Sequence, residues 1–388
     1  MADLQVDVFY WITGFVLSFA TLKKLNANGG MFWAHPLKIL FQRYLRLLPL
    51  YLFMIFFLWF FMGLIGGQGP RFYQFESNHG CEKTWFYHIF MINNIAPWGV
   101  RDYCIEPSWY LANDIWYMFP CLFLSAQYMK YRKLFYIMVG LISITALTIQ
   151  IIQIATLDFS ASFLSQNDEC WTDYYTKPWT RIHGYLIGML LGCHYFSFKY
   201  ERDEENNEPI PSKITTLFIQ MRDDNKTMLL SNLLGFILMF MMTIFCLLVN
   251  KSADDGSAFG NLLYLLFSRP LYVFGFSLTM MPSILGNQMC MPIRQAFSNR
   301  FFVPYARLVY GAFLCHTIFM QYRIFNLENG EWAQVFQTNL FFCAYFAFSF
   351  GFSFLTYILI EAPMANLLTD FWRVKMPKDT GNSIHYRS

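Results

Sequence analysis

The stretch FQRYLRLLPLYLF, residues 41–53, decides how the chain is read. Arg43 and Arg46 stand three residues apart, just ahead of an apolar run that contains Pro49. Pro36 suits a first helical turn, so a helix is expected from Leu37 onward. Residues three apart then share a face, and two guanidiniums on one face can converge on one anion. The rigid fork of arginine grips phosphate through paired hydrogen bonds, which a lysine cannot form. The plainer alternative is that the pair anchors a membrane helix at its cytoplasmic end.

Working outward, the surrounding composition favours a membrane. Of 388 residues, 56% are hydrophobic and 20% aromatic. Only 14% are charged, where a soluble domain carries about 25%. Mean hydropathy is +0.34, and the apolar residues come in blocks of roughly 20, the length that crosses a bilayer. The fold expected is an all-α polytopic transmembrane bundle. Nine spans are read, at about 4–24, 37–65, 108–129, 134–157, 179–198, 227–250, 262–285, 303–325 and 335–361. Pro49 is expected to kink the second. No internal repeat is visible, so an inverted-repeat transporter gains no support. A net charge of +3 without a separate basic tract speaks against a nucleic-acid partner.

Lysine and arginine mark the cytoplasmic side. One alternating set of connections holds nineteen of them, and the other holds five: Arg71, Lys83, Arg101, Lys177 and Lys251. RYLR and the C-terminus are therefore expected in the cytoplasm. A membrane domain over 1–370 would carry a luminal or exterior loop at about 66–107, and residues 371–388 a cytoplasmic tail. The N-terminus comes out on the luminal side with only MADLQ ahead of the first span, so a missing preceding segment is expected. Cys81 and Cys104 share the luminal loop, where a disulfide is permitted, and Cys170 in the next loop on that side competes for either. Cys121, Cys193, Cys246, Cys315 and Cys343 fall in spans as small hydrophobes, and Cys290 reads as a free thiol. No Cys/His spacing suggests a metal.

Ionisable groups inside spans cost about 2.5–3.5 kcal/mol at mid-membrane and are functional candidates for that reason. Here they are Asp7, Arg43, Arg46, Asp114, Arg181, His183, Arg269, Arg307, His316 and Glu361. PSWYLANDIWYMFP, residues 107–120, carries Asn113 and Asp114 into a span. Asp114 is expected to pair with an intramembrane arginine or to line a polar cavity, and the flanking aromatics read as an interfacial belt. KPWTRIHGYLIGMLLG, residues 177–192, sets Arg181 and His183 at a helix start. Gly184, Gly188 and Gly192 follow at i, i+4 spacing, the mark of close helix packing. His183 reads as a packing histidine or a proton acceptor. YARLVYGAFLCHTIFM, residues 305–320, carries Arg307 near one end and His316 near mid-span, and LIEAPMANLL sets Glu361 at a helix end before Pro363.

In this order DVFYWITGF, RYLRLLPLY, CEKTWFYHIFMINN, EPSWYLANDIWY, KPWTRIHGYLIGMLLG, RLVYGAFLCH and IEAP resemble the acyltransferase 3 superfamily, and within it the nose-resistant-to-fluoxetine branch. The resemblance runs from about residue 5 to 368. It implies a core of about ten spans and transfer of an acyl group from cytosolic acyl-CoA to a hydroxyl acceptor, a carbohydrate or a lipid. Acyl-CoA would be a co-substrate, with no permanently bound cofactor. The resemblance further implies that Arg43 and Arg46 engage the phosphates of coenzyme A, that Asp114 fills the family's acidic position and His316 its late histidine, and that Cys81 pairs with Cys104. Asn113, Asp114, Arg181, His183 and Arg307 would shape a polar cavity. In the family a span bearing the catalytic histidine precedes VDVFY, and nine spans behind a stranded N-terminus match loss of the first of ten. The branch's N-terminal luminal domain is absent from the sequence given, and Trp116 stands where a glutamine is usual. The catalytic residue is then unknown, with His316 and Asp114 as the candidates that the sequence offers. Beside a membrane acyltransferase of the endoplasmic reticulum or plasma membrane stand two alternatives: a non-catalytic protein that binds or moves lipid, and an inactive truncated paralogue.

Overall fold

The computed structural model describes residues 2–27, 34–61, 81–96, 104–157, 170–203, 209–249, 258–326 and 334–374. In lipid every backbone amide and carbonyl has to be satisfied within the segment, and helices do this. The helices are α1 (Ala2–Ala27), α2 (Ala34–Phe56), α3 (Cys81–Ile89), α4 (Ser108–Lys130), α5 (Arg132–Leu157), α6 (Pro178–Tyr200) and α7 (Lys213–Asp223). They continue as α8 (Asn225–Val249), α9 (Ala258–Leu285), α10 (Met291–Phe297), α11 (Phe302–Asn326), α12 (Val335–Thr356) and α13 (Ala362–Val374). A helix stands at each of the nine expected spans. α2 runs through Pro49 and passes into a π-helical turn, Phe57–Phe61. The last residues of the expected 37–65 span, most of the 66–107 loop around α3, and the tail beyond Val374 lie outside the described residues.

Among the described residues, seven helices are both long and apolar enough to cross a membrane: α1, α2, α5, α8, α9, α11 and α12 with its continuation to Thr369. The chain is a multi-pass membrane protein. α4 and α6 are also long enough, at 23 residues each, but too polar to qualify by composition. Their polar side chains are buried, Asn113 and Asp114 on α4 and Thr180 and Arg181 on α6. On α8, by contrast, Leu229, Leu233, Phe236 and Phe240 are exposed at helical spacing, an outer surface suited to lipid rather than water.

The chain forms two compact units, one from residues 1–37 and 116–298 and the other from 38–115 and 299–388. In the first, α1 and α6 approach until their backbones touch. A Cβ added at Gly188 would strike the Trp11 backbone, and one at Gly192 would come within 2.5 Å of the Phe15 carbonyl oxygen. α8 and α9 meet the same way, with Gly235 facing the Gly275 carbonyl. α9 ends at Gly286, whose φ of +96° only glycine adopts freely, while the Asn287 amide donates to the Pro282 carbonyl at 3.1 Å.

The second unit packs Leu50, Tyr51 and Met54 of α2 with Leu111 and Ala112 of α4 and Leu314, Cys315 and Ile318 of α11. The Cys81–Cys104 disulfide lies in this core and ties α3 to the segment leading into α4. Cys121, Cys193, Cys290 and Cys315 are buried thiols outside the disulfide, and Cys343 is an exposed thiol on α12. The side chains of Cys170 and Cys246 fall outside the described set.

Candidate functional site

Within the second unit, α2 directs both arginines of RYLR at carboxylates. Arg43 Nη2 donates to Asp114 Oδ2 at 2.7 Å, and Arg46 Nη2 stands 4.0 Å from Glu361 Oε1. RYLR, WYLAND and IEAP thus meet although they lie far apart in sequence. The two carboxylate side chains are buried at 7% exposure each, whereas Arg43 is 33% and Arg46 64% exposed. The acids therefore sit inward and hold the guanidiniums from behind. A guanidinium fixed along one edge by a carboxylate is oriented for a second anion at another edge.

A buried polar seam runs through the same unit. Asn94 Nδ2 donates to Asn113 Oδ1 at 2.5 Å, beside Asp114, and Asn93 Nδ2 donates to Ser108 Oγ at 2.9 Å. The Tyr44 hydroxyl donates to the Ile89 carbonyl at 2.7 Å. His88 Nδ1 lies 2.6 Å from the Tyr51 hydroxyl, and its Nε2 has no partner among the described residues. Burial pushes the His88 imidazole down to about 3, so it is neutral at physiological pH. Within CEKTWFYHIFMINN, nothing local to His88, Asn93 or Asn94 marks them as site residues in the sequence. The available signal was the scatter of polar residues through an aromatic stretch between two cysteines that were expected to pair.

His316 projects from α11 into a groove of about 670 Å³ formed with α12. Its Nδ1 lies 2.6 Å from the Phe313 carbonyl. A carbonyl only accepts, so Nδ1 carries the proton and Nε2 keeps a lone pair in the neutral ring. Arg307, on the same helix, is exposed.

The remaining polar candidates belong to the first unit. Arg181 is fully buried, and its Nη1 donates to Asp7 Oδ2 at 3.1 Å. Its Nε donates to the Tyr175 carbonyl at 2.9 Å, and its guanidinium stacks 4.0 Å from the Tyr175 ring centroid. Arg269 Nε reaches the same Asp7 oxygen at 3.8 Å. His183 Nε2 donates to the Ser143 carbonyl at 3.3 Å. Of the residues expected around a polar cavity, Arg181 and His183 thus belong to this unit, and Asn113, Asp114 and Arg307 to the other. Among the described residues no group of three His, Cys, Asp or Glu could hold a metal ion.

The chain matches a protein family described as acyltransferase domain over residues 3–358. It is 25% identical over 352 residues to Nose resistant to fluoxetine protein 6 of Caenorhabditis elegans, an alignment covering 85% of this chain and 40% of that protein. The chain therefore spans about two-fifths of that relative's length. No solved structure matches it.

Proposed function

Because the chain belongs to the acyltransferase domain family, we propose that it transfers an acyl group from cytosolic acyl-CoA to a hydroxyl acceptor, a carbohydrate or a lipid. The observation that supports this reading is that Arg43 and Arg46, three residues apart on one helix, each face a buried carboxylate from another segment. They are the tenth and thirteenth residues of the 23-residue α2, whose N-terminal end the distribution of lysine and arginine favours as cytoplasmic, together with the C-terminus. Two oriented guanidiniums there suit the phosphates of coenzyme A.

The chemistry needs a base to take the proton of the acceptor hydroxyl while its oxygen attacks the thioester carbonyl. The C–S bond then breaks, the coenzyme A thiolate leaves and takes up a proton, and an ester remains. His316 offers an Nε2 lone pair for the first step. Asp114 is the second candidate, but its Oδ2 is engaged by Arg43.

The test uses the full chain in lipid nanodiscs of endoplasmic-reticulum or plasma-membrane composition, supplied with acyl-CoA of several chain lengths. Thiol release reports cleavage of the thioester, and mass spectrometry identifies the ester. Arg46→Gln keeps the fold, since the side chain is largely exposed and its ion pair long, and raises KM for acyl-CoA at least about tenfold, the weight of one charge-assisted contact. Unchanged kinetics in Arg43→Ala/Arg46→Ala would overturn the coenzyme A assignment. No turnover of any acyl-CoA by the folded chain would overturn acyl transfer and leave lipid handling without catalysis.

A further inference from the structure

Arg307 is exposed on a face of α11 that is buried deeper in the unit. Gly311, Leu314 and Ile318 follow it at helical spacing and are buried, whereas Arg307 is not. The arginine therefore stands where the inward side of α11 opens, at the end that the distribution of lysine and arginine favours as cytoplasmic. Two contacts set the register of α11 against α2. The Tyr310 hydroxyl donates to the Leu47 carbonyl at 2.9 Å. Further along, the Phe352 ring of α12 has its centroid 5.0 Å from that of Phe57, in the π-helical turn after α2, and 5.7 Å from that of Phe319 on α11. The two helices therefore run in the same direction, with Tyr310 near the level of Leu47 and Phe319 near that of Phe57. One turn ahead of Tyr310, and on the same side of the helix, Arg307 comes level with Tyr44, between Arg43 and Arg46. Neighbouring helices lie about 10 Å apart, axis to axis, a gap that arginine side chains from both sides can bridge.

The charges at this level do not balance. Arg43 is paired with Asp114 and Arg46 faces Glu361, so each of these couples is neutral overall. Arg307 has neither hydrogen bond nor ion pair among the described residues, and α11 carries no Asp or Glu. We propose that Arg307 binds the 3′-phosphate of coenzyme A and so sets a preference for coenzyme A over its dephospho form. The proposal rests on the acyl-CoA reading above and adds a residue to it. Coenzyme A carries a diphosphate bridge and, apart from it, a phosphate monoester on the ribose. A monoester holds about −1.5 to −2 charges at pH 7, the densest charge on the molecule, and offers the guanidinium fork two acceptor oxygens. The cation without a carboxylate suits that group, and the compensated pair on α2 is left for the diphosphate.

The experiment measures equilibrium binding of coenzyme A and of 3′-dephospho-coenzyme A to the full chain in phosphatidylcholine nanodiscs, by calorimetry at constant salt. The parent is expected to bind coenzyme A about tenfold tighter than the dephospho form, the weight of one charge-assisted contact. Arg307→Gln binds both forms alike, with its affinity for the dephospho form unchanged. Arg307→Lys keeps the charge without the fork and retains only part of the preference. Arg300→Gln removes another exposed cation ahead of α11 and leaves the preference intact. A parent that binds neither form refutes the coenzyme A assignment itself, and this proposal with it. A parent that binds both forms alike, a folded Arg307→Gln that still prefers coenzyme A, or an equal loss in Arg300→Gln overturns the role of Arg307 alone. Should Arg307→Gln not fold, full preference in Arg307→Lys overturns it. Phosphatidic acid, a membrane phosphate monoester, is added to the discs as a last arm. If it erases the parent's preference, Arg307 serves lipid head groups and the proposal fails.

Discussion

Substituting Gly188 by alanine tests the closest helix contact in the protein, that of α6 with α1. The added Cβ would meet the Trp11 carbonyl oxygen first, with the Trp11 carbonyl carbon at 2.8 Å and Cα at 2.9 Å. Ordinary contact begins near 3.4 Å, so clearing the carbonyl oxygen requires α1 to retreat by more than about 1 Å. No flexible side chain can absorb this, because the atoms struck are backbone. α1 also carries Asp7, whose Oδ2 accepts from Arg181 Nη1 at 3.1 Å, and the retreat stretches that bond past useful length. Overpacking alone costs about 1–3 kcal/mol, and weakening a buried pair adds to it, since complete loss of one partner costs about 3–5 kcal/mol. Alanine's helix propensity returns at most about 1 kcal/mol. The net expectation is a loss of about 2–4 kcal/mol, which for a unit of this size lowers Tm by about 5–10 °C.

The assay is thermal unfolding in detergent with a thiol-reactive dye, which reads exposure of the buried Cys121 and Cys193 of the same unit. Two internal controls accompany it. At Gly184 the added Cβ meets Asp7 only at 3.2 Å and beyond, and at Gly140 nothing lies within 4 Å. Gly184→Ala, which asks the Asp7 backbone to give by only a few tenths of an ångström, should cost less than Gly188→Ala, and Gly140→Ala should match or exceed the parent. If Gly188→Ala melts within a degree of Gly140→Ala, the two helices are not in backbone contact and the reasoning fails.

The remaining predictions concern the second unit. The Cys81–Cys104 bond bridges a sequence separation of 23, so removing it should cost about 3 kcal/mol by loop entropy. Reductant should lower Tm of the parent and leave Cys81→Ala unmoved, and equal sensitivity of both would refute a structural role for the bond. For His88 the unfolded imidazole titrates near 6.5 and the buried one near about 3. Between those values the unfolded chain holds a proton that the folded chain refuses. This contribution is intact above pH about 6.5 and is lost on acidification by up to about 1.4 kcal/mol per pH unit. Unfolding measured from pH 7 to 4 should show a shallower decline in His88→Asn, and identical slopes would show that His88 is not buried as a neutral group.

The helices were legible because their cause is local. Length, apolar runs and the Gly184–Gly188–Gly192 spacing lie within single segments, and each maps onto a helix or a close approach. The α8–α9 contact was not legible, because Gly235 and Gly275 are lone glycines with no repeat to mark them. The ion pairs were half legible. An aspartate and a glutamate inside spans called for cations, but nothing in RYLR says that Arg43 takes Asp114 while Arg46 faces Glu361. That choice depends on the register between helices, which the sequence states nowhere. His88 escaped notice because a histidine in a loop carries no cost that would flag it. Its burial exists only once the disulfide and α2 have closed over α3.

The two helices least suited by composition to cross a membrane, α4 and α6, carry the most telling motifs, and this is no coincidence. An unpaired charge at mid-membrane costs about 2.5–3.5 kcal/mol on insertion. Asp114 and Arg181 would each incur it, and each is held by a partner on another helix, Arg43 on α2 and Asp7 on α1. A segment can carry such a residue only if its partner helix is there to receive it, so low hydropathy in a spanning helix reports tertiary pairing. Helices such as α8, apolar and exposed to lipid, have no such requirement and carry no candidate site residue. The polarity that makes α4 and α6 poor spans by composition is therefore the same polarity that ties α4 to α2 and α6 to α1.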